Sequence, residues 1–230
     1  MNTHQHIGRN MNPALESTPN FSLVVILSLG TFIVFFQGFM VAPILPQLSG
    51  HFHASVRYVS FIEPAYLLSY GVSTLFYAPL SEKYGRFPVI VFSLSGFIII
   101  TALTGFARSI DELIFFRLLT GLIAGGVAPT TIGWIRDRFP YEKRGHALGI
   151  FFGFMAAGTA FGSSAGALLT AFVGWRMLFW MVAFLGLMIL AVLLFHRKRY
   201  LGQPNTKTIA FKTMISEYYD LLKLPRGRRT

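Results

Sequence analysis

Residues 90–107 read IVFSLSGFIIITALTGFA, a run without a single charge, bracketed by Arg86 and Arg108. A bilayer's hydrocarbon core takes about twenty apolar residues in helical form to cross. Working outward, the same pattern recurs, and the apolar blocks are 21–44, 59–80, 87–107, 113–135, 145–173 and 177–195. Backbone groups in lipid have no water to bond to, so each block must satisfy its own N–H and C=O groups as a helix. The predicted fold class is all-α, a polytopic membrane bundle of six transmembrane helices.

Composition agrees with that pattern. Hydrophobic residues make up 53% and charged residues 13%, with 24 Phe, and mean hydropathy is +0.57. A soluble domain carries about 25% charged residues, so a water-soluble enzyme is disfavoured. The net charge of +11 by itself would suit a nucleic-acid partner. The basic residues, however, sit between the apolar blocks and in the last 35 positions, so no nucleic-acid binding is expected. Zero cysteines exclude disulfides, thiolate metal sites and a cysteine nucleophile.

Lys and Arg mark the side of each connection. With the N-terminus cytoplasmic, the inside holds Arg9, Lys83, Arg86, Arg136, Arg138, Lys143, Arg144 and the nine Lys/Arg between positions 197 and 229; the outside holds Arg57, Arg108 and Arg176. This is a positive-inside bias of sixteen to three, and it predicts that both termini are cytoplasmic. Residues 1–20 read as a polar cytoplasmic segment, 21–195 as the bundle and 196–230 as a basic cytoplasmic tail. In that tail Phe211, Met214, Ile215, Tyr218, Leu221 and Leu222 share helical spacing, which predicts an amphipathic helix at the inner membrane surface or on a partner.

Polar residues inside the blocks are the candidate chemistry. Arg117 lies about 6 Å into the fourth block at the helical rise, Glu63 at a similar depth in the second, and Gln37 roughly 10 Å into the first. All three fall in one layer. A charge near mid-membrane costs about 2.5–3.5 kcal/mol on insertion scales, so pairing or solvation is required; the alternative is that Glu63 and Arg117 snorkel to the interface. Between blocks two and three, Ala78-Pro79-Leu80-Ser81-Glu82-Lys83-Tyr84-Gly85-Arg86 forces antiparallel neighbours through a short turn, with Gly85 free to take a positive φ. Gly158, Gly162 and Gly166 fall four apart, a spacing that lets a neighbouring backbone approach closely. Pro43 and Pro46 bend or end the first helix.

Other signals are weaker. Gly162-Ser163-Ser164-Ala165-Gly166 fits the G-x-S-x-G nucleophile elbow but lacks its strand-turn-helix setting. His51 and His53 have no third ligand nearby in sequence, so no metal is expected, and no phosphate-loop or dinucleotide motif or other sign of a cofactor is present.

The motifs together resemble the major facilitator superfamily. Residues 78–86 are similar to its G-x-L-x-D-R-x-G-R signature; Arg117-Leu118-Leu119-Thr120-Gly121 is similar to R-x-x-Q-G, with Thr120 in place of Gln. Gly149, Gly158, Gly162 and Gly166 fit the antiporter motif G-x8-G-x3-G-P-x2-G-G, with Ser163 for Pro and Ala167 for the last Gly. Gly174-Trp175-Arg176-Met177-Leu178-Phe179 is similar to G-W-R-x-x-F.

The resemblance implies one six-helix half of a twelve-helix drug:proton antiporter in a bacterial inner membrane, working by alternating access on a small hydrophobic substrate. Its partners would be substrate, protons, lipid and a second six-helix bundle. Gln37, Met40, Glu63, Tyr66, Tyr70, Arg117 and Thr120 are then expected on the cavity wall, and Glu82, Gly85, Arg86, Arg138 and Arg144 in a cytoplasmic gate. The helix 5 glycines would close against the second half. The first block carries no acid, so either Glu63 serves, or the acid lies in the other half, or transport is not proton-driven. Two further readings stay open: a truncated or stand-alone six-helix protein without transport of its own, and a homodimeric half-transporter.

Overall fold

The computed structural model describes residues 21–197. Their regular structure is all helical, with no strand among them: α1 Phe21–Phe39, a 3₁₀ turn Ala42–Ile44, α2 Leu45–Phe52, α3 Val56–Val59, α4 Ile62–Tyr84, α5 Arg86–Thr104, α6 Ile110–Ala124, α7 Val127–Arg138 and α8 Tyr141–Phe195. Four helical stretches among them are long and apolar enough to cross a membrane: Phe21–Phe52, Arg86–Thr104, Ile110–Arg138 and Tyr141–Phe195. α4 has the length but carries Glu63, Glu82, Lys83 and a ladder of serines. The polar segment 1–20 and the predicted amphipathic tail helix lie outside the described residues.

Three boundaries differ from the sequence reading, each for a local reason. The first helix stops at Phe39 rather than at position 44, because the ring of a proline clashes with the carbonyl four residues back and Pro43 stands four residues after Phe39. The fourth block is divided at Gly125-Gly126. There a β-carbon at either glycine would overlap a serine hydroxyl, Ser73 on α4 or Ser93 on α5. The fifth and sixth blocks run into one another, and the break falls on a single residue, Gly174, at φ 76°, ψ 160°.

Contacts show that the chain reverses at Gly174. On the first arm of α8, a β-carbon at Gly158 would lie 2.5 Å from the Phe32 carbonyl oxygen, and at Gly162 and Gly166 it would overlap those of Phe36 and Met40. Residue numbers rise together, so this arm runs parallel to α1. On the second arm Trp180 donates its indole N–H to the Ala102 carbonyl (3.2 Å), and Gly186 packs on Ile98, so it runs antiparallel to α5. α5 is antiparallel to α6 and α7, as Gly96 meets Ile123 and Gly133 meets Arg86. α4 and α6 run parallel, with Gly121 packed on the Tyr66 carbonyl and Gly125 on that of Tyr70. The core between them is built from Leu27, Ile33, Leu94, Phe97, Phe151 and Phe179, all at most 2% exposed. The face of α8 carrying Gly149, where a β-carbon would meet nothing within 4 Å, is open; Gly149 therefore makes no packing contact within the bundle, unlike its three motif partners.

Candidate functional site

α6 begins at Ser109, whose hydroxyl accepts from the Glu112 N–H (3.2 Å), an N-cap that fixes the helix register. Two turns on, that register points Arg117 into the bundle, where it is fully buried. Its Nη1 donates to Gln37 Oε1 (2.8 Å) and its Nη2 to the Gly38 carbonyl (3.2 Å). Nη2 also stands 3.7 Å from Glu63 Oε2. The guanidinium lies 4.1 Å over the Tyr66 ring, a cation–π seat strongest where water is excluded. Arg117 thus has partners on both α1 and α4, and it does not snorkel.

Tyr66 is itself held, donating to the Val34 carbonyl (3.2 Å) and stacked on Tyr70 at 5.9 Å. Tyr70 in turn meets Phe35 edge-on at 5.9 Å. Phe35, Gly38, Phe39, Tyr66, Leu67 and Tyr70 line a small apolar recess of about 80 Å³ beside the arginine. Gln37 Nε2 and Arg117 Nε are buried donors without a hydrogen-bond partner, and such groups cost about 1–3 kcal/mol each until an acceptor arrives.

Five of the seven expected wall residues, Gln37, Glu63, Tyr66, Tyr70 and Arg117, therefore gather at one place. Met40 and Thr120 do not join them. The Thr120 hydroxyl donates to the Phe116 carbonyl of its own helix (2.7 Å), and Met40 is buried where α1 crosses Gly166 of α8. The Gly38 carbonyl, Phe35 and Phe39 were not foreseen; the one sequence sign of them was a glycine beside Gln37 in an aromatic-rich helix.

At the other end of the bundle, Gly85 ends α4 and starts α5 with φ 94°, ψ 147°, a region that L side chains rarely occupy. This places Arg86 in the first turn of α5, where its Nε donates to Asp137 Oδ2 (3.1 Å), its Nη2 to Glu82 Oε1 (3.3 Å) and its Nη1 to the Ser81 hydroxyl. A β-carbon at Gly133 would come within 2.7 Å of that guanidinium, so α7 makes room for it. Arg136 reaches the same two carboxylates, at 3.5 Å and 3.6 Å.

Of the expected gate, Glu82, Gly85 and Arg86 lie together. Arg138 stacks instead over the Trp134 ring (5.9 Å). It is two positions from Arg136, which puts it on another side of α7. Arg144 donates to the Phe139 carbonyl (2.8 Å), covering the end of α7. Asp137 and Arg136 are the unforeseen members. Asp137→Asn is expected to destabilise the chain by up to about 1 kcal/mol, the usual limit for a partly exposed pair, read as a lower melting temperature. An unchanged melting temperature would leave Glu82 as the effective anchor of Arg86.

Among the described residues, which include His51 and His53, no group of three or more His, Asp and Glu is gathered.

Residues 27–228 match the family model described as Major Facilitator Superfamily. The chain belongs to the major facilitator superfamily. Among curated proteins it is 31% identical over 161 residues to the tetracenomycin C resistance and export protein of Streptomyces glaucescens, covering 70% of this chain and 30% of that protein. It is 32% identical over 183 residues to the efflux pump radE of Floropilus chiversii, covering 78% of this chain and 34% of the other. The chain thus spans about a third of the length of each of these relatives. Its fold is similar to that of a bacterial homolog to the human lysosomal transporter Spinster, solved inward-facing and unoccupied, with a TM-score of 0.69 at 18% identity over 88% of this chain and 50% of that one. Major facilitator membership together with the apolar helices makes this an integral membrane protein of a transporter family.

Proposed function

We propose that the chain is the N-terminal bundle of an efflux transporter that moves a small hydrophobic molecule by alternating access. In this reading α1–α2, α4, α5, α6–α7 and the two arms of α8 are six passes, with both chain ends cytoplasmic as the Lys/Arg distribution favours. The observation that carries it is the fully buried Arg117 on Gln37, the Gly38 carbonyl and Glu63. An ionised group in a membrane bundle is costly and is kept where it serves a pathway. The free donors on Gln37 and Arg117 are assigned to an acceptor on the substrate, and the aromatic recess to its apolar part. Glu63 is the carboxylate in reach of Arg117, so it is assigned the coupling proton. The Arg86 cluster is assigned to the cytoplasmic gate.

A second bundle is supported by a face of α8 that is exposed among the described residues. Gly149, Gly153, Ala156, Ala160, Ser163, Ser164 and Ala167 are all exposed along the first arm, small residues at the three- and four-residue spacing that suits close helix contact. The glycines Gly158, Gly162 and Gly166, by contrast, are already occupied by α1, so closure against the other half is assigned to the small-residue face rather than to them. The names of the relatives, an export protein and an efflux pump, favour the outward direction, and the bacterial inner membrane is the proposed location.

The test is dye efflux by the full-length protein in inside-out vesicles from its native membrane. Accumulation that requires a pH gradient is the expected result. Accumulation that survives collapse of the gradient would remove proton coupling, and none at all would overturn transport. An N-terminal tag detected at the size of this chain alone would favour a homodimer of half-transporters instead.

A further inference from the structure

The end of the bundle away from Gly85 is closed by a different set of contacts. Arg176 stands two residues after the reversal at Gly174. Its Nη1 lies 3.0 Å from His51 Nε2 on α2, and its Nη2 donates to the Ala107 carbonyl after α5 (3.0 Å). Its guanidinium rests 4.3 Å from the Trp175 ring. Trp175, itself 5% exposed, meets His51 at 5.8 Å and Phe52 at 5.7 Å. One arginine therefore ties together α2, the end of α5 and the turn of α8.

The His51 contact is the conditional one. A guanidinium has only donors, so Nη1–H can bond to Nε2 only while that nitrogen carries a lone pair, with the imidazole neutral and its proton on Nδ1. A proton on Nε2 would point at an arginine N–H and set two cations against each other. The remaining ionisable groups at this end do not relieve that. His53 lies at the left-handed cap of α2, Arg57 on α3 beside it is a further cation, Arg108 follows Ala107, and the Glu112 carboxylate accepts from the Arg108 backbone N–H. Asp111 accepts from the Tyr58 hydroxyl. No carboxylate among the described residues pairs with His51 or Arg176. The bonds of Arg176 to Ala107 and Trp175 do not depend on His51, so α2 is the part whose hold weakens, kept in place then by Phe52 against Trp175 and by its buried apolar residues such as Leu48. It is eight residues long and joined to α1 through the 3₁₀ turn at Ala42–Ile44.

We propose that His51 and Arg176 form an acid-released clasp: neutral His51 holds α2 to the Gly174 turn, and protonated His51 lets α2 move away and opens this end between α1 and α8. The molecular switch does not depend on membrane orientation. That the signal is external acidity does, and that part rests on the orientation proposed above.

Because the sequence contains no cysteine, introduced thiols report without background. Gly50→Cys, where a side chain meets nothing within 4 Å, and Met177→Cys, exposed on α8, are spin-labelled in the full chain in lipid nanodiscs. The distance between them is measured by pulsed electron resonance at about pH 8 and about pH 5, spanning the range in which histidine changes charge. One short, narrow distance is expected at the higher pH and loss of most of that population at the lower. His51→Gln keeps an acceptor oxygen for Arg176 without a titrating group, and should hold the short distance at both. His51→Lys should lose it at both. An unmodified clasp whose distance does not change between the two pH values would overturn the proposal, and so would a His51→Gln chain that opens at low pH as fully as the parent. Neither outcome depends on whether the protein transports, so the clasp and the efflux reading fail separately.

Discussion

Arg117→Met is expected to reduce efflux by about 100-fold or more, equivalent to roughly 3 kcal/mol at 1.4 kcal/mol per tenfold, and to lower the melting temperature of the purified chain. Methionine keeps the unbranched apolar stem to about the position of Nε, so the packing lost is that of the guanidinium over the Tyr66 ring. What is lost is the charge that faces Glu63 and the two hydrogen bonds to Gln37 and Gly38. Removing one partner of a buried pair costs about 3–5 kcal/mol, because the other charge is left unpaired. The size of the stability loss therefore depends on Glu63, and the double substitution Arg117→Met with Glu63→Gln tests it. The double variant should regain much of the melting temperature but none of the efflux. Equal melting temperatures for the single and double variants would show that the carboxylate is satisfied by something other than Arg117. Efflux that survives Arg117→Met would remove the residue from the pathway.

The second large effect lies in the backbone contact between α1 and α8. Gly158→Ala, Gly162→Ala and Gly166→Ala each place a methyl against a carbonyl of Phe32, Phe36 or Met40. Backbone atoms cannot rotate away as a side chain would, so the two helices must move apart. Overpacking of this kind costs about 1–3 kcal/mol per site. The triple variant is expected to lose about 3–9 kcal/mol, a large share of total stabilities of about 5–15 kcal/mol, and to melt well below any single variant. Gly149→Ala is the control: its β-carbon meets nothing within 4 Å, and alanine is the better helix former, so stability should be unchanged or slightly raised. Thermal melting of the four single variants in one detergent gives the comparison. If Gly149→Ala and Gly162→Ala fell equally, the glycine contact would not be what holds α1 and α8 together.

These two sites differ in how much of them could be read from the chain. The Arg117 group was legible as a layer, because the helical rise alone puts Gln37, Glu63 and Arg117 at comparable depth. The rise does not say which way a side chain faces, which is why Met40 and Thr120 could not be separated from the group. The turn at Gly85 was legible because a tight reversal needs a residue free to adopt positive φ. Its charge partner was not: Arg136, Asp137 and Arg138 are consecutive, and only the packing of α7 on α5 decides that Asp137 faces Arg86. The four-residue glycine spacing announced a close contact but not its partner. Three of the four motif glycines face α1, and the fourth faces outward. Breaks inside an apolar run were hidden for a similar reason. Gly125-Gly126 continues the hydrophobic pattern, and the serines that leave no room for a side chain there stand on two other helices.

The parallel contact of α1 with the first arm of α8 also bears on how the protein is made. Phe36 and Gly162, which touch, are separated by most of the bundle in sequence. A ribosome adding about 5–20 residues per second needs roughly 6–25 s to pass from one to the other. For that interval the contact face of α1 is uncovered, while α4 to α7 are being made. The helix that carries Gln37 is thus made before the other described helices and is among the last of them to be locked, and a nascent chain stalled before Gly162 would offer that face to the quality-control machinery of the cell.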